Sequence, residues 1–508
     1  MTKNWSPALE SGGLNSSSLG SVIDQQDASL TISLLTGFLS ILFVLITISH
    51  KKKKDEKRIL PPYAPGSVLT HIRMLTSGNK PWWELEVAEK LNSRVFQYKL
   101  PVAPFSCKVA VGELHTFRQV LQDPLSEKPP AIHETFRRAF GGEGNDPTVF
   151  TSIGEVWHSK RKAVAAAFSS NHVKRMTKLA VEFTDSWIDN TLLTSTDNNN
   201  NNVSGSFEVA KEMISITMSA IAKTAFEYEI TSEEREQLVV DFELALIEFV
   251  RDEPMSVWRR YVGLLLPRRR RAFAATQRVR RLMMKIIELY RKLEKPTPGT
   301  VINLVMESDA FPTDEERAAQ LSEFFLAGHD TTAYSIAWIL LELARNPSEQ
   351  KQLREELSRL TPEEWNTSEK LKMVIKEGMR LHPVAAGGAI RTTGRDIITP
   401  NKELIPKGSM CFFPFILLFR NPSIFSTPNE NKFLPARWEN PTRDMLDAFN
   451  PFSLGKQNCV GQSLAKAETQ AIVARICSEF ELKVEDEGHA DFFLTLKPVG
   501  ARLRACKV

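Results

Sequence analysis

The sequence predicts a mainly α-helical fold with small β-sheets (α+β), and two observations support this prediction. Helical patterns of apolar residues dominate from Pro81 onward. The longest begins at a Thr-Asp-Glu-Glu capping box (313–316) and meets no proline before Pro347, so it predicts one helix of about 33 residues or ~50 Å. Runs of β-type residues are short, and they occur near residues 95 to 111, 384 to 420 and 482 to 505.

The composition excludes several classes of protein. The 508 residues carry 65 basic and 61 acidic side chains, a net charge of +4, whereas a nucleic-acid-binding protein usually has a dominant basic surface. The five cysteines are scattered and form no CxxC pair, which argues against a disulfide framework or a zinc site and fits a reducing compartment. They are Cys107, Cys411, Cys459, Cys477 and Cys506.

Residues 28–50 predict a transmembrane anchor. The stretch contains no charge from Ala28 to Ser49, and its apolar core of about 20 residues spans ~30 Å as a helix. A cleaved signal peptide is the alternative, but the apolar run is long for one and the preceding stretch is not basic. Basic residues cluster at 51–58 against Lys3 alone before the run, so the positive-inside rule places residues 1–27 in the lumen and the rest in the cytoplasm.

Two further segments are predicted to lie outside a compact fold. Residues 51–66 combine basic residues with a proline-dense stretch, and they predict a stiff linker to a catalytic domain at 67–508. Residues 194–206 include a run of asparagines without apolar periodicity, which predicts a low-complexity surface insert in that domain.

A helix predicted to begin at Gly154 places Trp157 and Arg161 four residues apart, on one face. An indole N–H and a guanidinium both donate hydrogen bonds, so the pair is suited to hold one anionic group. The alternative is an aromatic anchor beside a solvated arginine.

The middle of the long helix contains the sequence AGHDTT (327–332). Glycine costs a helix about 1 kcal/mol relative to alanine, and threonine hydroxyls compete for backbone carbonyls, so we expect the helix to open or kink here. Asp330 and Thr331 supply a carboxylate and a hydroxyl, the parts of a short proton relay. An exposed aspartate beside a packed threonine is the alternative.

Glu377 and Arg380 lie three residues apart near the end of a helix that Pro383 stops. Such pairs are usually weak surface ion pairs. Arg437, in the loop FLPARW (433–438), is a second arginine that would complete a buried charge network with them.

The loop FSLGKQNCVG (452–461) surrounds Cys459 with glycines that permit tight turns. A helix predicted from Gln462 to about Phe480 directs its positive N-terminal end at the sulfur. Both features favour a thiolate, which predicts a nucleophile or a metal ligand. A buried free cysteine is the alternative.

In this order, the Trp157/Arg161 pair, AGHDTT, the Glu377/Arg380 pair, FLPARW and the FxxGxxxCxG loop resemble the cytochrome P450 superfamily over residues 61–508. The resemblance implies the cytochrome P450 fold behind an N-terminal transmembrane helix. It also implies a haem b whose iron is ligated by the Cys459 thiolate, a ligand that favours O–O cleavage.

The same resemblance implies roles for individual residues. Asp330 and Thr331 would deliver protons to dioxygen, Gly328 would widen the groove over the iron, and Glu377, Arg380 and Arg437 would form a structural network under the haem. Trp157, Arg161 and Arg391 would hold the haem propionates. The complete set implied to bind haem is Trp157, Arg161, Gly328, Arg391, Phe452, Gly455, Gln457, Cys459 and Gly461.

The resemblance implies a haem-thiolate monooxygenase that inserts one oxygen atom of O₂ into a lipophilic small molecule at the endoplasmic reticulum membrane. Electrons would come from an NADPH-cytochrome P450 reductase-type flavoprotein, and cytochrome b5 is a further candidate donor. We expect an acidic reductase to dock on basic residues near the cysteine side of the haem. These are His158, Lys160, Arg161, Lys162, Lys456 and Lys466.

Two residues narrow what we expect of haem binding. The superfamily usually has a basic residue two positions before the cysteine, whereas this chain has Gln457, whose uncharged amide predicts weaker haem retention. Some fatty-acid ω-hydroxylases have a glutamate at the position of Ala327 that esterifies the haem. Alanine has no such group, so noncovalent haem is expected and fatty-acid oxidation stays open.

Two other functions remain as alternatives. A haem-thiolate isomerase or dehydratase would rearrange lipid peroxides without O₂, but it has no need of the proton relay that Asp330 and Thr331 predict. A non-catalytic haem carrier or sensor leaves both the relay and the basic surface unexplained.

The substrate pocket is predicted to be apolar and roomy, which leaves sterols, fatty acids, terpenoids, carotenoids and xenobiotics open. The stretches expected to line it are 115 to 150, 231 to 265 with Phe249 and Trp258, 264 to 266, Phe324, Phe325 and 385 to 389.

Overall fold

The computed structural model describes residues 59–100, 107–141, 146–193, 204–252, 265–426 and 429–508. The predicted lumenal segment (1–27), the anchor (28–50) and residues 51–58 of the linker lie outside them. So do residues 194–203 of the insert and residues 253–264, which include Trp258. Among the helices of the described ranges, none is both long and apolar enough to cross a bilayer.

The described chain is mainly helical with small sheets, which confirms the predicted fold class. Its α-helices are α1 (Val68–Leu75), α2 (Lys80–Leu91), α3 (Leu114–Gln122), α4 (Pro130–Gly141), α5 (Gly154–Ala165), α6 (Ser170–Trp187), α7 (Val209–Phe226), α8 (Ser232–Leu246), α9 (Pro267–Arg291), α10 (Val301–Glu307), α11 (Asp314–Arg345), α12 (Pro347–Leu357), α13 (Glu369–Leu381), α14 (Phe415–Phe419), α15 (Pro422–Phe425), α16 (Arg443–Ala448) and α17 (Gln462–Glu479).

The strands form small sheets at the edges of this helical body. They are β1 (Val95–Gln97), β2 (Lys108–Val111), β3 (Ser204–Glu208), β4 (Ala389–Thr392), β5 (Ile397–Ile398), β6 (Leu404–Ile405), β7 (Met410–Phe413), β8 (Phe480–Asp486), β9 (His489–Phe492), β10 (Leu496–Val499) and β11 (Arg502–Lys507). A four-stranded sheet has the order β1-β2-β7-β4, in which β2 and β7 are parallel, and a three-stranded sheet has the order β3-β11-β8. The pairs β5-β6 and β9-β10 are antiparallel.

Two predicted boundaries change. Gln97 of β1 donates a hydrogen bond to the Pro62 carbonyl (2.7 Å) and accepts one from the Ala64 amide (2.9 Å), so the domain begins before residue 67 and the proline-dense stretch packs on it. Ser204 to Ser206 pair with β11, so the predicted insert ends before residue 204. Backbone pairing with distant strands decides both boundaries, and local composition carries no signal of it.

Helix α11 is the central element of the domain. It spans 32 residues, close to the predicted 33, and Thr313 caps it by accepting a hydrogen bond from the Glu316 amide. Helices α4, α7, α9, α13 and α17 all pack against it. Because its neighbours surround it, most of its residues are buried, and any accessible position along it is informative.

Candidate functional site

The cysteine loop before α17 depends on one obligatory glycine. Gly455 has φ +75°, and a Cβ there would lie 2.3 Å from the Leu121 carbonyl oxygen, so no larger residue fits. The loop closes through hydrogen bonds from the Cys459 amide to the Phe452 carbonyl (2.9 Å) and from the Asn458 amide to the Gly455 carbonyl (3.3 Å). Gly461 has an ordinary φ of −86° and caps α17. The turn therefore fixes the backbone of Cys459 at the start of this helix.

The environment of Cys459 only partly favours the thiolate. Burial raises the pKa of the Cys459 thiol, and the Gly461 amide, Arg161 and Lys466 lower it by smaller amounts. Desolvation of the sulfur outweighs these three favourable contacts, so the thiolate stays a prediction. A metal cation at the sulfur reverses this balance, since a coordinating thiol is deprotonated.

An internal cleft is indicated between this loop and α11. The Cys459 sulfur lies deep in the domain, where burial raises its pKa, but the side chain keeps an accessible surface that faces open space. On α11, residues 318–326 and 336–344 are buried, but Ala327 is exposed and Gly328, Thr331 and Ser335 are half-buried. Because α11 and α17 pack together, these accessible positions inside the domain mark open space next to both elements.

The AGHDTT segment stays fully α-helical, so the predicted opening of the helix is wrong. The Thr331 and Ser335 hydroxyls donate to the carbonyls of Ala327 and Thr331, both at 2.8 Å, and so add bonds along the helix rather than break it. Asp330 lies next to Thr331 in sequence, and its Oδ2 accepts a hydrogen bond from the Thr495 hydroxyl (2.7 Å). Burial raises the pKa of Asp330, which favours the protonated acid.

Gly328 serves the packing of two helices. A Cβ at this position would lie 1.9 Å from Cδ1 of Ile221 on α7, so the missing side chain lets α7 and α11 approach. The predicted role of Gly328 in widening a groove over iron stays a prediction.

Three cationic side chains lie near the cleft. Arg161 on α5 donates to the Asn458 carbonyl (2.5 Å) and to Asn458 Oδ1 (2.8 Å), which ties it to the residue before Cys459. Arg391 on β4 is buried and donates to the Ile390 carbonyl (2.8 Å), and burial lowers its pKa to about 10. Trp157, one turn before Arg161, is also buried.

Lys128 is the third of these cations, and sequence reasoning missed it because no local motif marks it. Its ammonium donates to the Phe150 carbonyl (2.7 Å). Burial and then the charge of Arg391 lower its pKa to about 7, while Glu323 opposes this shift. Within the described residues, no carboxylate is bonded to Lys128, Arg161 or Arg391.

These residues fit a haem. Buried cations that repel each other need an anionic partner, and two propionates would supply one. A cavity of about 290 Å³ is lined by Arg391, Lys456 and Gln457 together with Leu121, Gln122, Asp123, Pro124 and Ser126. The Gln457 Oε1 atom is buried without a partner among the described residues, as expected of a side chain that faces a ligand.

The predicted charge network is present and fully buried. The Glu377 carboxylate accepts two hydrogen bonds from Arg380, both at 2.8 Å, and one from Arg437 at 3.3 Å. The Trp438 indole (3.0 Å) and the Leu434 amide (3.0 Å) complete its shell. The alternative of a surface ion pair is therefore excluded.

Not all of the predicted docking bases are available at the surface. Lys160 is buried and bonded to Glu316 (2.5 Å) and to the Ala310 carbonyl (2.7 Å), and Arg161 is half-buried against Asn458. The prediction is wrong for Lys160, because its side chain turns inward from α5. The exposed members are His158, Lys162, Lys456 and Lys466.

Comparison with known proteins places the chain in a family. The family model for cytochrome P450 matches residues 61–501. Human cytochrome P450 4F8 is 26% identical over 394 residues, which cover 71% of this chain and 72% of the relative. Rat cytochrome P450 4F5 is 36% identical over 186 residues (34% and 35% of the two chains), and mouse leukotriene-B4 omega-hydroxylase 3 is 36% identical over 186 residues (34% and 35%). The chain belongs to the cytochrome P450 family and is a cytochrome P450 monooxygenase.

Proposed function

We propose that this monooxygenase inserts one oxygen atom of O₂ into a lipophilic small molecule, with electrons from a separate NADPH-dependent flavoprotein reductase. The observation that carries the proposal is the Asp330–Thr331 pair on α11, where Thr331 is one of the accessible positions and Asp330 is a half-buried acid whose pKa desolvation raises. An enzyme that reduces O₂ consumes protons, whereas an isomerase of lipid peroxides does not, so this pair favours the monooxygenase.

Each residue of the site has a part in this proposal. When bound, haem b would supply the iron at which O₂ is activated, with the Cys459 sulfur as its thiolate ligand. Arg161, Arg391 and Lys128 would neutralise the propionates, with Trp157 and Gln457 as further donors. Phe452, Gly455 and Gly461 would hold the loop, while Asp330 would hold a proton that Thr331 Oγ1 passes into the cleft.

The substrate class follows from the lining and from the relatives. Phe249, Phe324 and Phe325 belong to one buried apolar cluster that includes part of α11, and we expect this cluster to give the cleft an apolar wall suited to a lipid. The relative named leukotriene-B4 omega-hydroxylase 3 matches this chain over about a third of its own length. From its name we propose only that the substrate is a fatty-acid-like lipid. Ala327 lacks the carboxyl group that a covalent haem ester requires, so the haem would be held noncovalently.

The membrane and the reductase belong to the same proposal. Residues 28–50 would anchor the enzyme in the endoplasmic reticulum membrane with its domain in the cytoplasm. The exposed His158, Lys162, Lys456 and Lys466 would attract an acidic flavoprotein to the cysteine side, and cytochrome b5 would use the same surface.

Turnover of a lipid panel with NADPH and purified reductase tests the proposal. We expect hydroxylated products that require both NADPH and O₂, and we expect Thr331→Ala to divert NADPH into hydrogen peroxide because proton delivery fails. Undiminished turnover of lipid peroxides by Thr331→Ala without NADPH would establish the isomerase instead. Haem binding without NADPH consumption or turnover would establish the carrier.

Replacing Gln457 with arginine should slow haem loss. An added guanidinium in the cavity shared with Arg391 gives a charge-assisted hydrogen bond to a propionate, and ~1.4 kcal/mol from it corresponds to about tenfold in rate. The measurement is transfer of haem to excess apomyoglobin. Asn366→Arg, which adds the same charge at an exposed position, is the control and should leave the rate unchanged. Equal rates for Gln457→Arg and the unaltered protein would show that Gln457 does not face a propionate.

A further inference from the structure

Asp330 is held from outside the cleft by a β-hairpin far along the chain. Its Oδ2 accepts from the hydroxyl of Thr495, which lies in the turn between β9 and β10 and is buried. The turn is itself fixed, because the adjacent Leu496 accepts a hydrogen bond from the Trp338 indole on α11 (2.9 Å) and donates one to the Val384 carbonyl (2.8 Å). Thr495 therefore has little freedom to leave Asp330.

A second contact comes from the next turn of α11. The Tyr334 side chain is buried there, and burial and then the charge of Asp330 raise the pKa of its phenol. With the Thr495 hydroxyl donating to Oδ2, the other carboxyl oxygen is left to carry the acidic proton. The Thr495 hydroxyl thus restricts how the carboxyl group turns.

A surface ion pair lies close to the turn that holds Asp330. Lys497 on β10 forms an ion pair with Glu243 on α8 (3.2 Å), and the side chains are 21% and 50% exposed, so the pair lies at the surface. Lys497 lies two residues after Thr495, so this surface pair is next to the hairpin turn that holds Asp330. The groups facing Asp330 from its surroundings are therefore Thr495, Tyr334, His329 and Lys497.

We propose that Thr495 is a positioning residue that holds Asp330 in place for proton delivery in the monooxygenase reaction, beside the surface pair Lys497–Glu243. This inference rests on the proposed function of Asp330 and Thr331. Each proton that Asp330 gives up toward Thr331 Oγ1 is replaced by one from water at the surface pair.

The test compares Thr495→Val with Thr495→Ser in the haem-loaded enzyme with reductase. Valine matches threonine in shape but lacks the hydroxyl, whereas serine keeps it. We expect valine to lower the fraction of NADPH that yields product by about tenfold, to release hydrogen peroxide and to enlarge the solvent deuterium isotope effect on product formation. Serine should restore all three.

Controls separate this inference from simpler effects. Thr469→Val removes a buried hydroxyl on α17 that has no partner among the described residues, and it should leave coupling unchanged. If Thr495→Val keeps normal coupling and isotope effect while Thr331→Ala uncouples, the inference fails and the proposed function stands. If neither variant uncouples, the proposed function fails. If Thr495→Val does not fold, Thr495→Ala takes its place, and normal coupling in that variant also overturns the inference.

Discussion

Replacing Glu377 with alanine lowers the free energy of unfolding by about 3 to 5 kcal/mol, because it leaves buried arginines without their counter-ion. Arg380 and Glu377 are both fully buried, and the carboxylate also accepts from Arg437 and from the Trp438 indole. Backbone carbonyls also accept from both guanidinium groups, but Glu377 is the carboxylate that balances their charge. The measurement is the urea midpoint of unfolding, followed by tryptophan fluorescence of the purified protein.

The same helix offers a matched control. Glu369 and Lys372 on α13 form an ion pair with the same spacing as Glu377 and Arg380, but the Glu369 side chain is exposed. Glu369→Ala should therefore shift the urea midpoint only slightly. A comparable shift for the two variants would contradict the view that the buried network stabilises the fold.

Replacing Cys459 with alanine reduces product formation to the background rate while the protein stays folded. The loop is held by the Cys459 amide and by Gly455, neither of which alanine at residue 459 disturbs, so the fold should persist. What is lost is the sulfur, which we assign as the ligand of the haem iron. Product formation with NADPH and reductase, together with circular dichroism, measures the two effects separately.

Cys477 provides the comparison for that variant. It lies on α17, the helix that follows the Cys459 loop. Burial raises the pKa of its thiol to about 12, so it is an inert thiol. Cys477→Ala should retain product formation, because its only expected effect is a small loss of packing. Equal activity of Cys459→Ala and the unaltered protein would rule out Cys459 as the ligand.

The sequence was most informative where chemistry depends on neighbours along the chain. The capping box and the absence of proline predicted α11 to within a residue, and the spacing of Glu377 and Arg380 predicted an ion pair. The family pattern then predicted that Arg437 joins them, and it does.

The rest required the fold. Lys160 turns inward and Lys128 is a buried cation because of helices and loops distant in sequence, so no local pattern distinguishes either from a solvated lysine. The glycine of AGHDTT predicted an opening, yet Ile221 of α7 fills the space beside Gly328 and the helix stays intact. The bond from Thr495 to Asp330 joins residues 165 positions apart and was invisible in the sequence.

The CO-difference spectrum of the reduced protein tests the central claim most directly, namely that Cys459 ligates a haem as thiolate. We predict a thiolate-type Soret band that is absent from Cys459→Ala. A reduced CO complex without the thiolate-type band, or the same band in Cys459→Ala, would contradict the assignment of this cysteine and with it the proposed site.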